Sequence, residues 1–307
     1  MEERIPCRIL TGPTASGKSD FGLRIAEKHG WVIACMDSMQ IYRGLNIGTA
    51  KPSEADRRRV KHYLLDICAP WESFSVNEYR NRAESLIKSL WLEERKEVLF
   101  VGGTGLYLQA LIHPMEMGSV AADPERRCCL QKMAEEPDGK NRLHEMLCRL
   151  DPKSAARLHV NDLRRIIRAI EVTEKTGIPF SDQPEREAPQ CFDWRIASTY
   201  LDREILYKRI NSRVDRMIRS GLVSEIRSLL ETDGVSEESQ SMSGIGYKEM
   251  IPYVRGECTL DEAADRIRLN TRHYSKRQIT FLKREEQVRY VDVTDPDAEL
   301  KLDSILQ

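Results

Sequence analysis

The sequence has no apolar run approaching the roughly 20 residues that a membrane-spanning helix requires. None of its eight cysteines stands in a CxxC pair, and no cysteine–histidine cluster has the spacing of a zinc site. Internal repeats are absent as well. These absences exclude a membrane-embedded protein, a zinc module and a repeat protein, and we expect reduced, structural cysteines. The N-terminus is acidic and soon followed by an apolar strand pattern, unlike a signal peptide, so we expect a cytoplasmic protein.

Acidic and basic residues nearly balance, because the 307 residues carry a formal net charge of −1. The total charge therefore does not indicate a nucleic-acid-binding protein, but the local charge does. Residues 266–284 include no acidic residue, whereas the basic ones, besides His273, are Arg266, Arg268, Arg272, Lys276, Arg277, Lys283 and Arg284. This stretch predicts contacts to a phosphate backbone, and the alternative is the solvated face of a long helix.

A phosphate-binding motif stands near the N-terminus. The pattern GxxxxGK[ST] is matched by a segment that we call the phosphate loop: Gly12, Pro13, Thr14, Ala15, Ser16, Gly17, Lys18 and Ser19. An apolar strand pattern precedes it and a helical pattern follows it, as such a loop requires. Its backbone N–H groups and the helix N-terminus would hold a diphosphate or triphosphate, with Lys18 on the terminal phosphate and Ser19 on Mg²⁺. The alternative is a chance glycine- and serine-rich turn.

The first third of the chain alternates strand and helix patterns. Strands are predicted at 7–11, 32–36, 63–67 and 97–102, and helices at 17–29, 53–61, 75–95 and 104–112. This alternation predicts an α/β fold with a P-loop-type parallel sheet flanked by helices. Ligands bind at the carboxyl ends of strands in such sheets, and three strand ends carry candidate residues: the phosphate loop, Asp37 and the segment 102–105.

The middle of the chain predicts a helical insertion at residues 116–189, between two parts of a catalytic core, 1–115 and 190–307. Helical patterns in the insertion lie at 123–136, 141–149, 152–158 and 161–176. The second part of the core is predicted to contain strands at 195–201 and 288–293, helices at 203–220, 222–231 and 259–286, and a surface loop at 234–243.

Seven segments occur together in an order that is similar to one enzyme family: 12–19, 37–44, 48–52, 102–107, 161–165, 244–248 and 276–280. From residue 6 to 292 the chain resembles the isopentenyl-tRNA transferases, also called tRNA dimethylallyltransferases. Members of this family transfer a dimethylallyl group from dimethylallyl diphosphate to N6 of an adenine beside the anticodon, with the help of Mg²⁺, and release diphosphate. Ser19 and Phe281 stand where many members have Thr and Trp, but the hydroxyl and the aromatic ring are kept.

The resemblance implies roles for individual residues. Asp37 is implied as the general base, and Thr104 and Arg127 as substrate contacts. Besides Asp37, contacts to tRNA around a channel between core and insertion are implied for Ser38, Met39, Gln40, Arg164, Arg165, Ile166, Ile167, Arg168, Ser243, Gly244, Ile245, Gly246, Tyr247, Lys248, Lys276, Arg277, Gln278, Ile279, Thr280, Phe281 and Lys283. We therefore expect tRNA and dimethylallyl diphosphate as partners, Mg²⁺ as cofactor, and a monomer.

The residues themselves leave alternatives open. Asp37, a lone acid at a strand end, could take a proton from a weakly nucleophilic adenine amine, cap a helix, or bind Mg²⁺ through water. Thr104 could be a helix N-cap, and Arg127 could be surface charge. Three arginines on one helix face either meet the diphosphate or face solvent: Arg209, Arg213 and Arg216. Candidates for stacking on RNA bases, with core packing as the alternative for the last two, are Tyr247, Tyr274 and Phe281.

Two other functions fit parts of the pattern. A phosphate-loop kinase is one, because residues 64–66 (Leu-Leu-Asp) resemble the acidic Mg²⁺ motif of such enzymes. A kinase, however, has no use for the basic stretch at 266–284, and no lid-like arginine pair is recognisable. A non-catalytic RNA-binding module is the other; it would explain the basic stretch but leave the phosphate loop and Asp37 without a role.

Overall fold

The computed structural model describes residues 4–114, 123–184 and 191–307. Within these ranges one sheet is formed by β1 (Ile5–Thr11), β2 (Val32–Cys35), β3 (His62–Tyr63), β4 (Val98–Val101), β5 (Phe192–Tyr200) and β6 (Val288–Asp292). The strands lie in the order β3-β2-β4-β1-β5-β6, and each neighbouring pair is parallel. The predicted α/β fold with a parallel sheet is therefore confirmed.

The helices of the described residues are α1 (Lys18–His29), α2 (Glu54–Arg59), α3 (Val76–Ser89), α4 (Gly105–Ile112), α5 (Pro124–Glu135), α6 (Gly139–Leu150), α7 (Pro152–Arg157), α8 (Leu163–Thr176), α9 (Arg203–Arg219), α10 (Leu222–Arg227), α11 (Tyr247–Val254), α12 (Leu260–Leu282) and α13 (Ala298–Leu306). Reciprocal capping boxes begin α2, α3 and α12, at Ser53, Ser75 and Thr259. In the described parts of the chain, no helix is both long and apolar enough for a bilayer span.

The chain divides into two compact units. The first unit comprises Met1–Ile112 and Pro189–Gln307 and contains the sheet; the second comprises His113–Ala188 and contains α5 to α8. The predicted insertion limits, residues 116 and 189, lie outside the described residues, so these limits stay a prediction.

The sheet of the first unit is buried on both faces. Ile9, Phe100 and Ile196 belong to one apolar cluster, whereas the next residues on β1 and β5, Leu10 and Ala197, belong to another. Successive side chains of a strand point to opposite faces, so this alternation means that helices cover both sides. Because β2, β4 and β1 are neighbours, the three strand ends that the sequence predicted to carry site residues lie side by side.

The secondary structure differs from the prediction in three respects. The strand predicted at 63–67 ends at Tyr63, because Leu64 and Asp66 have φ angles of +58° and +55°, outside the extended region. Helices α11 and α13 were not predicted; α13 buries Ala298, Leu302 and Leu306 on the sheet. The predicted surface loop at 234–243 ends in a short 3₁₀ turn that buries Ser241 and Met242.

Candidate functional site

The phosphate loop joins β1 to α1 and has a backbone that glycine makes possible. Gly12 and Gly17 have φ angles of +141° and +91°, and Ala15 has +64°. A Cβ on Gly12 would lie 2.0 Å from Thr199 Oγ1, so only glycine fits there. The Ser16 and Thr199 hydroxyls are 2.6 Å apart and hydrogen-bonded, which fastens the loop to the end of β5.

Lys18 is the first residue of α1 and carries the positive charge of the loop. Its ammonium donates a hydrogen bond to Pro13 O at 3.3 Å. Burial, with a smaller effect from the charge of Arg213, lowers the pKa of Lys18 to about 8, and the Asp37 carboxylate opposes this shift. Ser19, the next residue, is exposed. Lys18, Arg213 and Asp37 therefore lie within electrostatic range of one another.

Asp37 follows β2 and keeps part of its carboxylate available. Its Oδ1 accepts hydrogen bonds from the backbone N–H groups of Met39 and Gln40, at 2.9 and 3.3 Å. No hydrogen bond from a described residue reaches its second carboxylate oxygen. One oxygen thus caps the turn after β2 rather than a helix, and the other remains available for chemistry.

Thr104 joins the end of β4 to the Asp37 turn. Its backbone carbonyl accepts the first hydrogen bonds of α4, but its hydroxyl accepts one from the Ser38 N–H at 3.0 Å. The hydroxyl also lies 3.5 Å from the hydroxyl of Ser38, to which it donates. Thr104 therefore stands at the N-terminus of α4 while its side chain orders the neighbouring strand end.

Gln278 on α12 ties two of the strand ends together. Its Oε1 accepts a hydrogen bond from Thr14 N at 2.8 Å, and its Nε2 donates one to Gly103 O at 2.8 Å. A Cβ on Gly103 would lie 2.3 Å from that nitrogen, so this approach requires glycine. The side chain is buried, which indicates that Gln278 positions the phosphate loop.

The arginines of α9 separate into different environments. Arg213 is half-buried and donates to Thr49 O at 3.3 Å; burial lowers its pKa, and the charge of Asp37 opposes this. Arg209 places a guanidinium nitrogen 3.8 Å from where a Cβ of Gly17 would stand. Arg216 is exposed. Arg213 and Arg209 are thus the members of this trio that lie beside the phosphate loop.

The segment 243–248 is partly internal. Ser243 and Lys248 are exposed, but Tyr247 is fully buried and donates a hydrogen bond to Glu225 at 2.6 Å. Gly244 packs on Met39, since a Cβ there would lie 2.9 Å from the sulfur. The two ends of this segment are therefore exposed, and Tyr247 is internal.

The basic residues of the stretch 266–284 differ in their partners and exposure. Arg268 forms ion pairs with Asp265 and Asp215, so acids from outside the stretch compensate its charge at this residue; Asp215 lies 53 residues away in the chain. Arg272 bonds to Asn211 at 2.8 Å. Exposed positive charge remains at Arg266, Lys276, Arg277, Lys283 and Arg284.

The other residues of α12 that were predicted to contact tRNA lie in different environments, some exposed and some packed inside the unit. Thr280 is exposed, whereas Ile279 packs with Ala15 in a small apolar cluster. The Phe281 ring lies against Gly105, where a Cβ would approach it to 2.7 Å. Core packing, the alternative considered for Phe281, therefore describes most of its surroundings.

In the second unit, Glu171 organises the arginines. It is buried and accepts hydrogen bonds from Arg127 at 2.9 and 3.0 Å and from Arg168 at 2.6 Å. Burial alone would raise the pKa of Glu171, but the bonds from Arg127, Asp123 N and Arg168 outweigh it and lower the pKa. Arg127 is therefore held in a fixed orientation rather than being loose surface charge.

Helix α8 presents charge on one side and apolar side chains on the other. Arg164 and Arg165 are exposed, and Arg165 pairs with Asp162 at 3.1 Å. Ile166 and Ile167 are buried in the core of this unit. Of these predicted tRNA contacts, the two arginines are therefore on the surface and the two isoleucines are internal.

The acidic motif at residues 64–66, which suggested a kinase, has its carboxylate in ion pairs. Asp66 accepts bonds from Lys51 at 2.6 Å and from Arg57 at 2.8 Å. It follows β3, which β2 and β4 separate from β1 and the phosphate loop. Asp66 is therefore a partner of two cations and not a metal ligand of the loop.

A family model and known relatives identify the same enzyme family. The family model described as IPP transferase matches residues 40–285. The tRNA dimethylallyltransferase of Pelotomaculum thermopropionicum is 43% identical over 289 residues, covering 94% of this chain and 91% of that protein. That of Desulforudis audaxviator is 44% identical over 292 residues, covering 94% and 93%.

Solved structures agree. The tRNA isopentenylpyrophosphate transferase of Bacillus halodurans has a TM-score of 0.71 and 37% identity, covering 99% of this chain and 95% of that one. A eukaryotic dimethylallyltransferase described as acting on tRNA has a TM-score of 0.80 at 24% identity, covering 98% and 77%, which supports the fold. The phosphate loop, the three adjoining strand ends and these matches lead to one conclusion: the chain belongs to the IPP transferase family.

Proposed function

We propose that this protein transfers a dimethylallyl group from dimethylallyl diphosphate to N6 of an adenine adjacent to the anticodon of tRNA. The observation that carries the proposal is that the phosphate loop and Asp37 follow strands at the same edge of the sheet, where Gln278 bonds to Thr14 N and Gly103 O and Thr104 bonds to Ser38 N. The names of relatives more than 40% identical supply the substrates.

The electrophilic half of the reaction is the loss of diphosphate. As the allylic C–O bond breaks, the electron pair leaves with the diphosphate, and donors fixed in advance stabilise the charge that develops there. Those donors are the N–H groups of the phosphate loop, the Lys18 ammonium and the guanidinium groups of Arg213 and Arg209. The role of Arg127 on the diphosphate rests on the family resemblance.

The nucleophilic half is attack by the adenine amine. Its lone pair is delocalised into the ring, so a carboxylate that accepts the N6 proton as the N–C bond forms accelerates the step. The oxygen of Asp37 that makes no hydrogen bond to the described residues suits this role. Thr104 acts through Ser38 by holding the Asp37 turn in place. The base must leave its stack to reach this pocket.

Magnesium fits the donors present without a dedicated cage. The described residues contain no cluster of three or more histidine, cysteine, aspartate or glutamate side chains. A hard oxygen ligand is nevertheless available from the hydroxyl of the exposed residue Ser19, and Mg²⁺ commonly takes one or two protein oxygens besides substrate phosphates and water. When bound, Mg²⁺ would neutralise charge on the diphosphate.

Contacts to tRNA are proposed for the exposed basic residues among the predicted tRNA contacts. They are Lys248, Lys276, Arg277 and Lys283 in the first unit and Arg164 and Arg165 in the second. The buried members of the predicted set, such as Gln278 and Tyr247, support these surfaces from within. We further propose a monomer that works in the cytoplasm, where tRNA is its substrate.

The test is transfer of label. Purified protein is incubated with labelled dimethylallyl diphosphate, Mg²⁺ and unmodified tRNA, and digestion of the tRNA then locates the label on one adenosine. We expect label at N6 beside the anticodon. ATP turnover in a parallel incubation with ATP, without transfer of label, would favour a kinase, and tRNA binding without transfer would favour a non-catalytic module.

A further inference from the structure

Glu225 on α10 has a carboxylate with four hydrogen-bond donors around it. Oε2 accepts from the backbone N–H groups of Asn46 and Ile47, at 3.0 and 2.7 Å. Oε1 accepts from Gly48 N at 3.1 Å and from the Tyr247 hydroxyl at 2.6 Å. Three successive N–H groups that converge on one carboxylate form an anion nest, here occupied by a side chain from 177–179 residues away.

The nest fixes residues 46–48, and the carbonyls that follow them face the reaction site. Thr49 O accepts hydrogen bonds from Arg213 at 3.3 Å and from Gln40 Nε2 at 3.1 Å, and Ala50 O accepts a second one from Gln40 at 3.3 Å. The backbone N–H of Gln40 in turn bonds to the Asp37 carboxylate. One short loop therefore links Glu225 to the diphosphate-binding arginine and to the Asp37 turn.

Tyr247 and Gly48 close the nest on its buried side. A Cβ on Gly48 would stand 2.5 Å from the Tyr247 ring and 2.7 Å from its hydroxyl, so the approach requires glycine. Burial and the adjacent Glu225 charge raise the pKa of Tyr247 above its ordinary value. The hydroxyl thus stays protonated and donates to the carboxylate, and the nest is satisfied from both sides.

We infer that Glu225 is a positioning residue for the transferase reaction, which orients Arg213 toward the diphosphate by holding the loop 46–49. This inference rests on the proposed function, since Arg213 has a substrate to meet only there. An amide in place of the carboxylate has one acceptor oxygen instead of two, so Glu225→Gln cannot satisfy all three backbone donors, and the loop loses its fixed position.

The experiment is a double-mutant cycle read out by binding. Dimethylallyl diphosphate with Mg²⁺ and no tRNA is titrated into wild type, Glu225→Gln, Arg213→Ala and the double variant. We expect each single variant to bind about tenfold more weakly and the double variant to bind no more weakly than Arg213→Ala, because residues acting through one contact are not additive. Glu231→Gln, at an exposed glutamate to which no described residue is bonded, is the matched control and should bind as wild type does.

Several outcomes of this cycle would contradict the role of Glu225. Unchanged affinity in Glu225→Gln or Arg213→Ala overturns the inference, and so do losses that add in the double variant. If Glu225→Gln does not fold, Tyr247→Phe replaces it in the cycle; it removes one donor, and a two- to threefold loss that disappears in the Arg213→Ala background is expected. Failure of wild type to transfer label to tRNA contradicts the proposed function, whereas normal transfer with an additive cycle contradicts the role of Glu225 alone.

Discussion

The lowered pKa of Lys18 should make the binding of dimethylallyl diphosphate depend on pH. Burial and the Arg213 charge lower its pKa to about 8, against an ordinary value near 10.5. A bound diphosphate would reverse this shift, because its negative charges favour the ammonium. Substrate binding should therefore take up a proton at alkaline pH, about half a proton at pH 8 and close to one at pH 9.

The size of the effect follows from that pKa. At pH 7 Lys18 is almost fully charged, and at pH 9 about one tenth of it is charged, so affinity for dimethylallyl diphosphate should fall about tenfold between these values. Titration calorimetry without tRNA, in two buffers of different ionisation enthalpy, measures both the affinity and the proton uptake. Lys18→Arg keeps its charge over this range and is the control, which should show no such dependence.

Neighbouring charges should move the midpoint in opposite directions. Arg213→Ala removes a repelling cation and should shift the fall in affinity to higher pH; Asp37→Asn removes an attracting anion and should shift it to lower pH. Affinity of the wild type that stays constant from pH 7 to 9, or variants that shift in the same direction, would refute the electrostatic account of this pocket.

The same pKa predicts a contribution to folding stability. A lysine with a folded pKa near 8 and an unfolded pKa near 10.5 binds fewer protons when folded between these values, so the free energy of unfolding should rise with pH across that window. The difference amounts to about 3 kcal/mol at most. Urea denaturation of wild type and Lys18→Met at pH 7 and pH 10 measures it, and Lys18→Met should be the more stable protein at pH 7.

Three further changes test other parts of the site. Asp37→Ala should slow transfer about 10²–10⁴-fold in single-turnover assays while the Kd for tRNA stays the same, and an undiminished rate would remove Asp37 as the base. Replacing both Lys276 and Arg277 by Gln should reduce the slope of log affinity for tRNA against log salt concentration by roughly 1.5. An unchanged slope would mean that these two side chains do not contact the RNA phosphates. Gln278→Leu breaks the link from Thr14 to Gly103 and should raise KM for dimethylallyl diphosphate more than the Kd for tRNA, whereas the reverse pattern would assign Gln278 to the RNA.

The parts of the site that the sequence predicted are those that local chemistry dictates. The phosphate loop needs glycine at positions of positive φ, a strand before it and a helix after it, and all three can be read within 25 residues of sequence. The position of Asp37 follows similarly, because an acid directly after an apolar strand must lie at a strand end. Local sequence failed at Asp66, where the resemblance to an acidic metal motif says nothing about the two cations that the fold brings to it.

The remaining parts depend on contacts between distant segments. Thr14 and Gln278 are 264 residues apart in the chain, and Ser16 and Thr199 are 183 apart. A glutamine inside a helix and a threonine at a strand end are common, and no spacing rule identifies them as supports of a loop. Since both contacts hold the phosphate loop from the second half of the first unit, the loop acquires its binding geometry only when α12 and β5 have docked. The anion site of this protein is therefore a property of the folded unit, even though its motif occupies eight consecutive residues.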